Sequence, residues 1–304
     1  MKPTLVILAA GMASRYGSMK QTDGFGPHGE TIIEYSIYDA IKAGFGKVIF
    51  IIKEEFAENF KAIFEPKLQG KIETDYVFQT YDLKPFGIDI EIERAKPWGT
   101  AHAVLAVRDA VNEPFCVINA DDFYGRDSFQ KMSDFLTTEV SDDTFSMIGY
   151  QIDKTLSEYG TVSRGVCKVD ADGNLTEIHE RIKVYFKTDA DGTKKIYFEE
   201  DGREFPLRSD SRVSMNFWGF TPKIFELSSD QFREFALANA ENPKAEFFIA
   251  LVAEKLIENK IVTFKVIPTQ NKWFGVTYVE DKPIVQESID KLVESGEYPE
   301  NLWA

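Results

Sequence analysis

Residues Leu8 to Gln21 read LAAGMASRYGSMKQ; Gly11, Ala13, Ser14, Arg15, Gly17 and Lys20 follow a short apolar run, with no acidic side chain among them. The chemistry such a stretch suits is anion binding. Glycine lets the backbone turn N–H groups towards a phosphate, arginine offers a planar fork of donors, and lysine a point charge. The setting strengthens the point, because the chain has a formal charge of −15, yet residues 1–22 contain Lys2, Arg15 and Lys20 and the first acid is Asp23. A mostly negative field repels nucleic acid and anionic membranes, so a polyanion such as a nucleotide needs a local basic island of this kind. Two common phosphate patterns do not fit. No Gly-Lys-Ser/Thr follows Gly11 at the P-loop distance, and Ala13 stands where a dinucleotide fingerprint has its second glycine, in a loop too long for that motif.

The elements around this loop alternate. TLVIL (Thr4 to Leu8) reads as a buried strand, and TIIEYSIYDAIKAG as a helix with a capping box at Thr31 and Glu34 and a stop at Gly44. KVIFII is a second buried strand, Phe56 to Phe64 a short helix, DYVFQ a third strand, TAHAVLAVRDAV a helix capped by Thr100, and PFCVIN a fourth strand. Repeated βα units predict a mainly parallel sheet with helices on both faces. Ligands of such sheets sit beyond the carboxyl ends of the strands, which turns the loops after Leu8, Arg94 and Asn119 towards one crevice.

From about Ser141 the pattern becomes antiparallel. DDTFSMIGYQI, GTVSRGVCKVD and NLTEIHE read as strands, the last two joined by a hairpin turn at Asp170 to Gly173. Residues 181–210 form a charged, aromatic-bearing insertion with a second hairpin signal, TDADGTKK, read as a flap. RVSMNFWGF returns as a core strand, EFFIALVAEKLIENK is an amphipathic helix, IVTFKVI a strand, and Lys282 to Ser295 a closing helix. No apolar run approaches the roughly 20 residues that span a bilayer, and the N-terminal apolar stretch runs into glycine and cations instead of a cleavage site. Cys116 and Cys167 lie in strand-like stretches, as reduced core residues of a reducing compartment would.

The loop resembles that of the sugar-phosphate nucleotidylyltransferases, whose first strand runs into Leu-Ala-Ala-Gly-x-Gly-Thr-Arg with a lysine a few residues on; here LAAGMASR is followed by Lys20-Gln21. Ser14 keeps the hydroxyl of the usual threonine, and Ala13 replaces the usual glycine. The resemblance continues in KPWGTAHA, VINADDFYG, EYGTV, EIHE and SMNFWGF, from residue 4 to about 220 and more loosely to the end. It implies a Rossmann-like α/β domain over 1–304, with a nucleotide-binding half (1–140) and an acceptor-side half (141–304). By the same resemblance Leu8, Ala9, Ala10, Gly11, Met12, Ala13 and Ser14 wrap the nucleotide phosphates. Arg15 steadies the pyrophosphate leaving group, Lys20 contacts phosphate oxygens near the reacting centre, and Gly99 and Thr100 lie near the base. Asp121 holds Mg²⁺, and Gly160, Glu180 and Asn216 line the hexose site. The family's second metal aspartate, in a Trp-x-Asp-x-Gly segment, is Gly275 here. That role passes to Asp281 or Asp122, or to nucleotide and water, with Asp281 the expected ligand and Asp122 a supporting or surface group.

The implied reaction is attack by a phosphate oxygen on the α-phosphorus of a nucleoside triphosphate with loss of pyrophosphate, in which alignment and charge neutralisation do most of the catalysis. The partners are therefore a nucleoside triphosphate and a small phosphorylated acceptor, with no nucleic acid and no membrane, in the cytoplasm; association with further copies stays open. Two alternatives also stay open: a cytidylyltransferase of a phosphorylated amino alcohol such as phosphocholine, and a catalytically silent nucleotide-sugar-binding regulator. His28, His102 and His179 show no metal-ligand spacing. Trp218 and Trp273 read as core or wall, and Trp98 as either wall or stacking platform.

Overall fold

The computed structural model describes residues 1–10, 24–94, 96–276 and 279–304. The loop residues Gly11, Met12, Ala13, Ser14, Arg15 and Lys20 lie outside them. At the centre is β1 (Thr4–Leu8), flanked in parallel by β2 (Lys47–Ile52) and β4 (Phe115–Asn119), with β3 (Glu73–Phe78) beyond β2. Alternate side chains of one strand point to opposite faces. Accordingly Val6 and Val117 enter one core, with α3 (Thr100–Ala106), α5 (Lys223–Ala238) and α6 (Ile249–Glu258), as Leu5, Ile7 and Ile118 enter another, with α1 (Ile32–Lys42), α2 (Ala57–Leu68) and α4 (Arg126–Thr138). The sheet is thus covered on both faces, which explains why these strands read as unbroken apolar runs.

The second half adds β6 (Thr144–Gln151), β7 (Val162–Val169), β8 (Leu175–Thr188), β9 (Lys194–Glu200), β10 (Arg203–Leu207) and β11 (Arg212–Phe220), joined antiparallel to the first half, while β12 (Thr263–Pro268) runs parallel to β6. The result is a mixed α/β sheet of eleven strands among the described residues. Residues 181–210 complete β8 and supply β9 and β10, the outermost strands of one edge. Pro206 and cross-strand ion pairs such as Lys183–Glu199 (2.7 Å) mark that edge, features that discourage further strand pairing. The closing helix is α7 (Lys282–Glu294).

Strand β11 makes the join. Its residues Arg212, Val213 and Ser214 pair with β6 and β7, whereas Trp218 and Gly219 pair with β6 and β4 and Phe220 with β4, the β6 register being broken between Ser214 and Trp218. Asn216 sits in that break at φ 63°, a left-handed conformation that asparagine tolerates better than most residues. A separate two-stranded ribbon pairs β5 (Asp122–Phe123) with β13 (Phe274–Gly275), and the rings of Phe123 and Phe274 stack at 4.3 Å. Around it a third core collects Phe25, Tyr35, Val285, Ile289, Tyr298 and Leu302, tying the residues after the loop to the C-terminal helix.

The capping box of α1 forms, with the Thr31 N–H donating to Glu34 Oε2 at 2.9 Å. Glu34, fully buried, is also bound by Lys67 and by the Trp303 indole N–H, each at 2.7 Å. The cap expected at Thr100 is a correction: Gly99 is the capping residue, at φ 105°, and the Thr100 hydroxyl instead accepts the Ile249 N–H at 3.1 Å. Gly99 lies so close to a neighbouring segment that a Cβ would stand 2.6 Å from the Phe247 backbone nitrogen. The two segments are joined by Phe247 N–H to Trp98 O (2.6 Å), Ala101 N–H to Phe247 O (2.9 Å) and Arg94 Nη1 to Asn242 O (2.9 Å). Arg94 also lies 3.8 Å over the ring of Trp98, which is fully buried and meets Phe232 edge-on; it is wall, and the stacking-platform reading falls.

Beside this joint His102 is buried against Phe232 and Phe86. Burial, followed by the nearby Arg94 charge, lowers its pKa from 6.5 to about 4.

Two outcomes are expected. Gly99→Ala should lose roughly 2 kcal/mol or more of stability through backbone strain and the clash with Phe247, read as a lower urea midpoint; a wild-type midpoint contradicts the account. At His102 the unfolded chain takes up a proton near pH 6.5 and the folded chain only near 4. The stability is therefore present above about 6.5 and lost as pH falls towards 4, by about 1–2 kcal/mol at pH 5. His102→Gln should lack that part of the acid loss between pH 7 and 5, and an equal loss in both proteins would refute the assignment.

Candidate active site

The carboxyl ends of β1 and β4 lie side by side, with Leu8 opposite Asn119 in the ladder and the Ala120 N–H donating to Leu8 O at 3.4 Å. Ala9, bonded to Ile51 O at 2.9 Å, and Ala10 are buried and lead the chain into residues 11–23. One strand away Asp121 stands half-buried in the turn after Ala120, followed by Asp122. The start of the cationic loop and the carboxylate pair therefore share one sheet edge.

Asp122 is not a surface group: it is 8 % exposed. Its Oδ2 accepts from Asn119 Nδ2 at 2.8 Å and lies 3.2 Å from the Tyr124 hydroxyl. Burial, then the adjacent Asp121 charge, push its carboxyl up to about 7, against the pull of Asn119, Arg164 and Tyr124. Asn119 is the node of the cluster, because its Oδ1 accepts from Asn216 Nδ2 at 2.7 Å while its own amide donates to Asp122. The Tyr124 hydroxyl accepts the Asn119 N–H at 3.0 Å and lies 2.9 Å from Met215 O, next to Asn216. Of the expected acceptor-side residues, Asn216 is thus brought against the carboxylate side of the site.

Below the ribbon lies Arg164, 7 % exposed and stacked 4.7 Å over Trp273. Its Nε donates to Thr155 O at 3.1 Å and its Nη1 to Ser163 O at 2.7 Å. Burial lowers its pKa to about 10, while the charges of Asp122 and then Glu180 act to raise it. Glu180 is exposed on β8 opposite Gly165, within the field of this arginine. Gly160 sits half-buried in the loop before β7.

Asp281 is buried immediately before α7 and accepts from the Ser157 hydroxyl at 2.9 Å. Gly275 faces Asp122 directly: a Cβ there would meet Asp122 Oδ1 at 2.9 Å and Asp121 O at 3.1 Å. Gly99 and Thr100 are engaged by the 247–249 segment as described, and beside them Gln79 Nε2 lies 3.2 Å from His102 Nδ1 and 3.4 Å from Gly99 O. His28 is an exposed loop residue, and His179 Nε2 pairs with Glu177 at 2.8 Å. Cys116 and Cys167 are free and buried. Among the described residues no three His, Cys, Asp or Glu side chains are grouped to hold a metal, and no helix is long and apolar enough to cross a membrane.

Asn119, Tyr124 and Arg164 carry no sequence signal of their own. Asn119 could have been found as the last residue of a ligand-edge strand, whereas Tyr124 and Arg164 become visible only once the ribbon packs over β7.

Comparison with known proteins agrees with the fold. Residues 5–281 match the family described as nucleotidyl transferase. A comparison with curated proteins finds no match. Among solved structures, the inositol-1-phosphate CTP transferase from T. maritima superposes with a TM-score of 0.63 at 13% identity, covering 96% of this chain and 97% of that one. A UDP-glucose pyrophosphorylase in complex with UDP-glucose gives 0.60 at 15% identity, covering 96% and 99%. A protein assigned as a glucose-1-phosphate thymidylyltransferase from Bacillus anthracis, in complex with a sucrose, gives 0.61 at 14%, covering 94% of each chain. These likenesses carry the fold. With its family match spanning nearly the whole length, the chain belongs to the nucleotidyl transferase family and is a nucleotidyltransferase enzyme.

Proposed function

We propose that the protein condenses a nucleoside triphosphate with a sugar 1-phosphate, giving a nucleotide-activated sugar and pyrophosphate. The observation that supports this most is the shared edge of β1 and β4, where the residues leading into the basic loop lie beside the strand end that carries Asp121, and where Asn119 is held by Asn216. In the reaction an acceptor phosphate oxygen forms a bond to the α-phosphorus as the bond from that phosphorus to the bridging oxygen of pyrophosphate breaks. Both reactants are anions, so the chain's task is to align them in line and neutralise charge. Arg15 takes the leaving pyrophosphate and Lys20 the oxygens near the reacting phosphorus. Gly99 and Thr100 border the base, and Gly160 and Glu180 border the sugar.

The donor chemistry of the strand end fits a hard divalent cation, Mg²⁺ in this reading. Carboxylate oxygens are its preferred protein ligands, and one or two of them are enough when substrate phosphates and water complete the shell. Asp121 would hold it, and when bound the ion supplies neutralisation of phosphate charge. The excess of acids over bases supports small-molecule substrates, with no nucleic acid or membrane surface as partner, and the free thiols support a cytoplasmic location.

A panel of the four nucleoside triphosphates with sugar 1-phosphates, and with phosphocholine because the same loop and carboxylate would serve it, tests the reading by pyrophosphate release. Release with one sugar phosphate is the expected result; binding of nucleotides without release from any pair would leave a silent binder. Asp121→Asn should lower turnover by 100-fold or more, on the order seen for aligned charged groups, at an unchanged melting temperature; undiminished turnover would remove the metal role. Lys20→Ala should lower kcat by about 100-fold, and a change confined to KM would make Lys20 a binding residue only.

A further inference from the structure

Two carboxylates follow one another at the end of β4, and the second is buried. A buried carboxylate beside a like charge is unfavourable in its ionised form unless a cation is brought to it, the alternative being that it keeps its proton. The nearest buried cation, Arg164, donates to the backbone carbonyls of Thr155 and Ser163 instead of to Asp122. Asp122 Oδ2 is occupied by Asn119 and Tyr124, whereas among the described residues Oδ1 takes no hydrogen bond and points at the space beside Gly275. That space exists because residue 275 has no side chain: its Cβ would approach Oδ1 to 2.9 Å, tighter than real Cβ atoms come to a neighbour. Gly275 needs no unusual backbone, since it is absent from the positive-φ glycines. The demand at this position is for room.

We propose that Asp122, through Oδ1, is the second carboxylate of the divalent-cation site with Asp121, and that Gly275 is the glycine that makes room for it. This rests on the functional reading above and deepens it. Asn119 and Tyr124 are then positioning residues: they fix Oδ2 and so aim Oδ1, the arrangement by which groups behind a ligand orient it towards a metal. Asp281, engaged by Ser157, is left outside the cation's shell.

The test is Mn²⁺ affinity, measured by electron paramagnetic resonance titration of the full chain with an α,β-methylene triphosphate analogue present, alongside melting temperature. Asp122→Asn and Asp121→Asn should each weaken Mn²⁺ binding at least tenfold, and Asp281→Asn should not. Gly275→Ala should weaken it comparably at unchanged net charge, by displacing Oδ1. Wild-type affinity in a folded Asp122→Asn protein, with Asp121→Asn weakened, overturns this proposal and leaves the functional reading standing. Wild-type affinity in both variants overturns both. Wild-type affinity in Gly275→Ala overturns the role given to the glycine.

Discussion

Between Ser214 and Trp218 strand β11 exchanges β7 for β4 as a neighbour while keeping β6 throughout. In the same interval the β11–β6 register shifts, and Asn216 stands there in left-handed backbone, as residues at strand irregularities do. The consequence is chemical as well as geometric. The side chain at the irregularity is an amide placed at the end of β4, where it holds Asn119, and Asn119 in turn holds Asp122. The seam between the parallel and antiparallel halves is therefore also the line along which Asn216 of β11 meets the carboxylate pair after β4. If Asn216 adopted an ordinary extended conformation, strand pairing and the orientation of Asp122 would change together.

Two other buried carboxylates each have a cation within reach. Glu34 is fully buried but bound by Lys67, Trp303 and its own cap, and buried Asp39 accepts from Tyr298 at 2.6 Å with Arg126 3.5 Å away. Buried polar groups that are partnered in this way specify packing, because an unpartnered one would be costly. The pair at the end of β4 departs from this arrangement, with like charges adjacent and the nearest buried cation turned to carbonyls. Such departures collect where a structure acts on another molecule.

Much of this organisation is legible in the sequence. The bounds of β1 and β11 follow from apolar runs, the α1 capping box from Thr31 and Glu34, and the hairpin at Asp170–Gly173 from its turn residues; each is a local signal, and local signals survive folding. What escaped was tertiary. The glycine before Thr100 is the cap because Phe247 approaches its backbone, and Phe247 is far away in sequence. In sequence Asp122 reads as a supporting or surface group, since a carboxylate beside another at a strand end is commonly solvated; in the fold, pairing with Gly275 of β13 and hydrogen bonds with Asn119 and Tyr124 accompany its burial. Arg164 sits mid-strand with nothing nearby in sequence to mark it, since Trp273, Asp122 and Thr155 reach it from three separate segments. The loop from Gly11 to Lys20 was the clearest chemical signal in the sequence; its residues lie outside those the structure describes, and their roles stand as proposals.

The central claim is that a nucleotide's phosphates bind at the edge shared by β1 and β4, between the basic loop and Asp121. Anomalous diffraction from crystals grown with Mn²⁺ and a non-hydrolysable triphosphate would locate metal and phosphates together. The account predicts a manganese peak against the Asp121 and Asp122 carboxylates, with the triphosphate running back over Ala9 and Ala10. A nucleotide seated elsewhere on the sheet, with its metal away from Asp121, would contradict it.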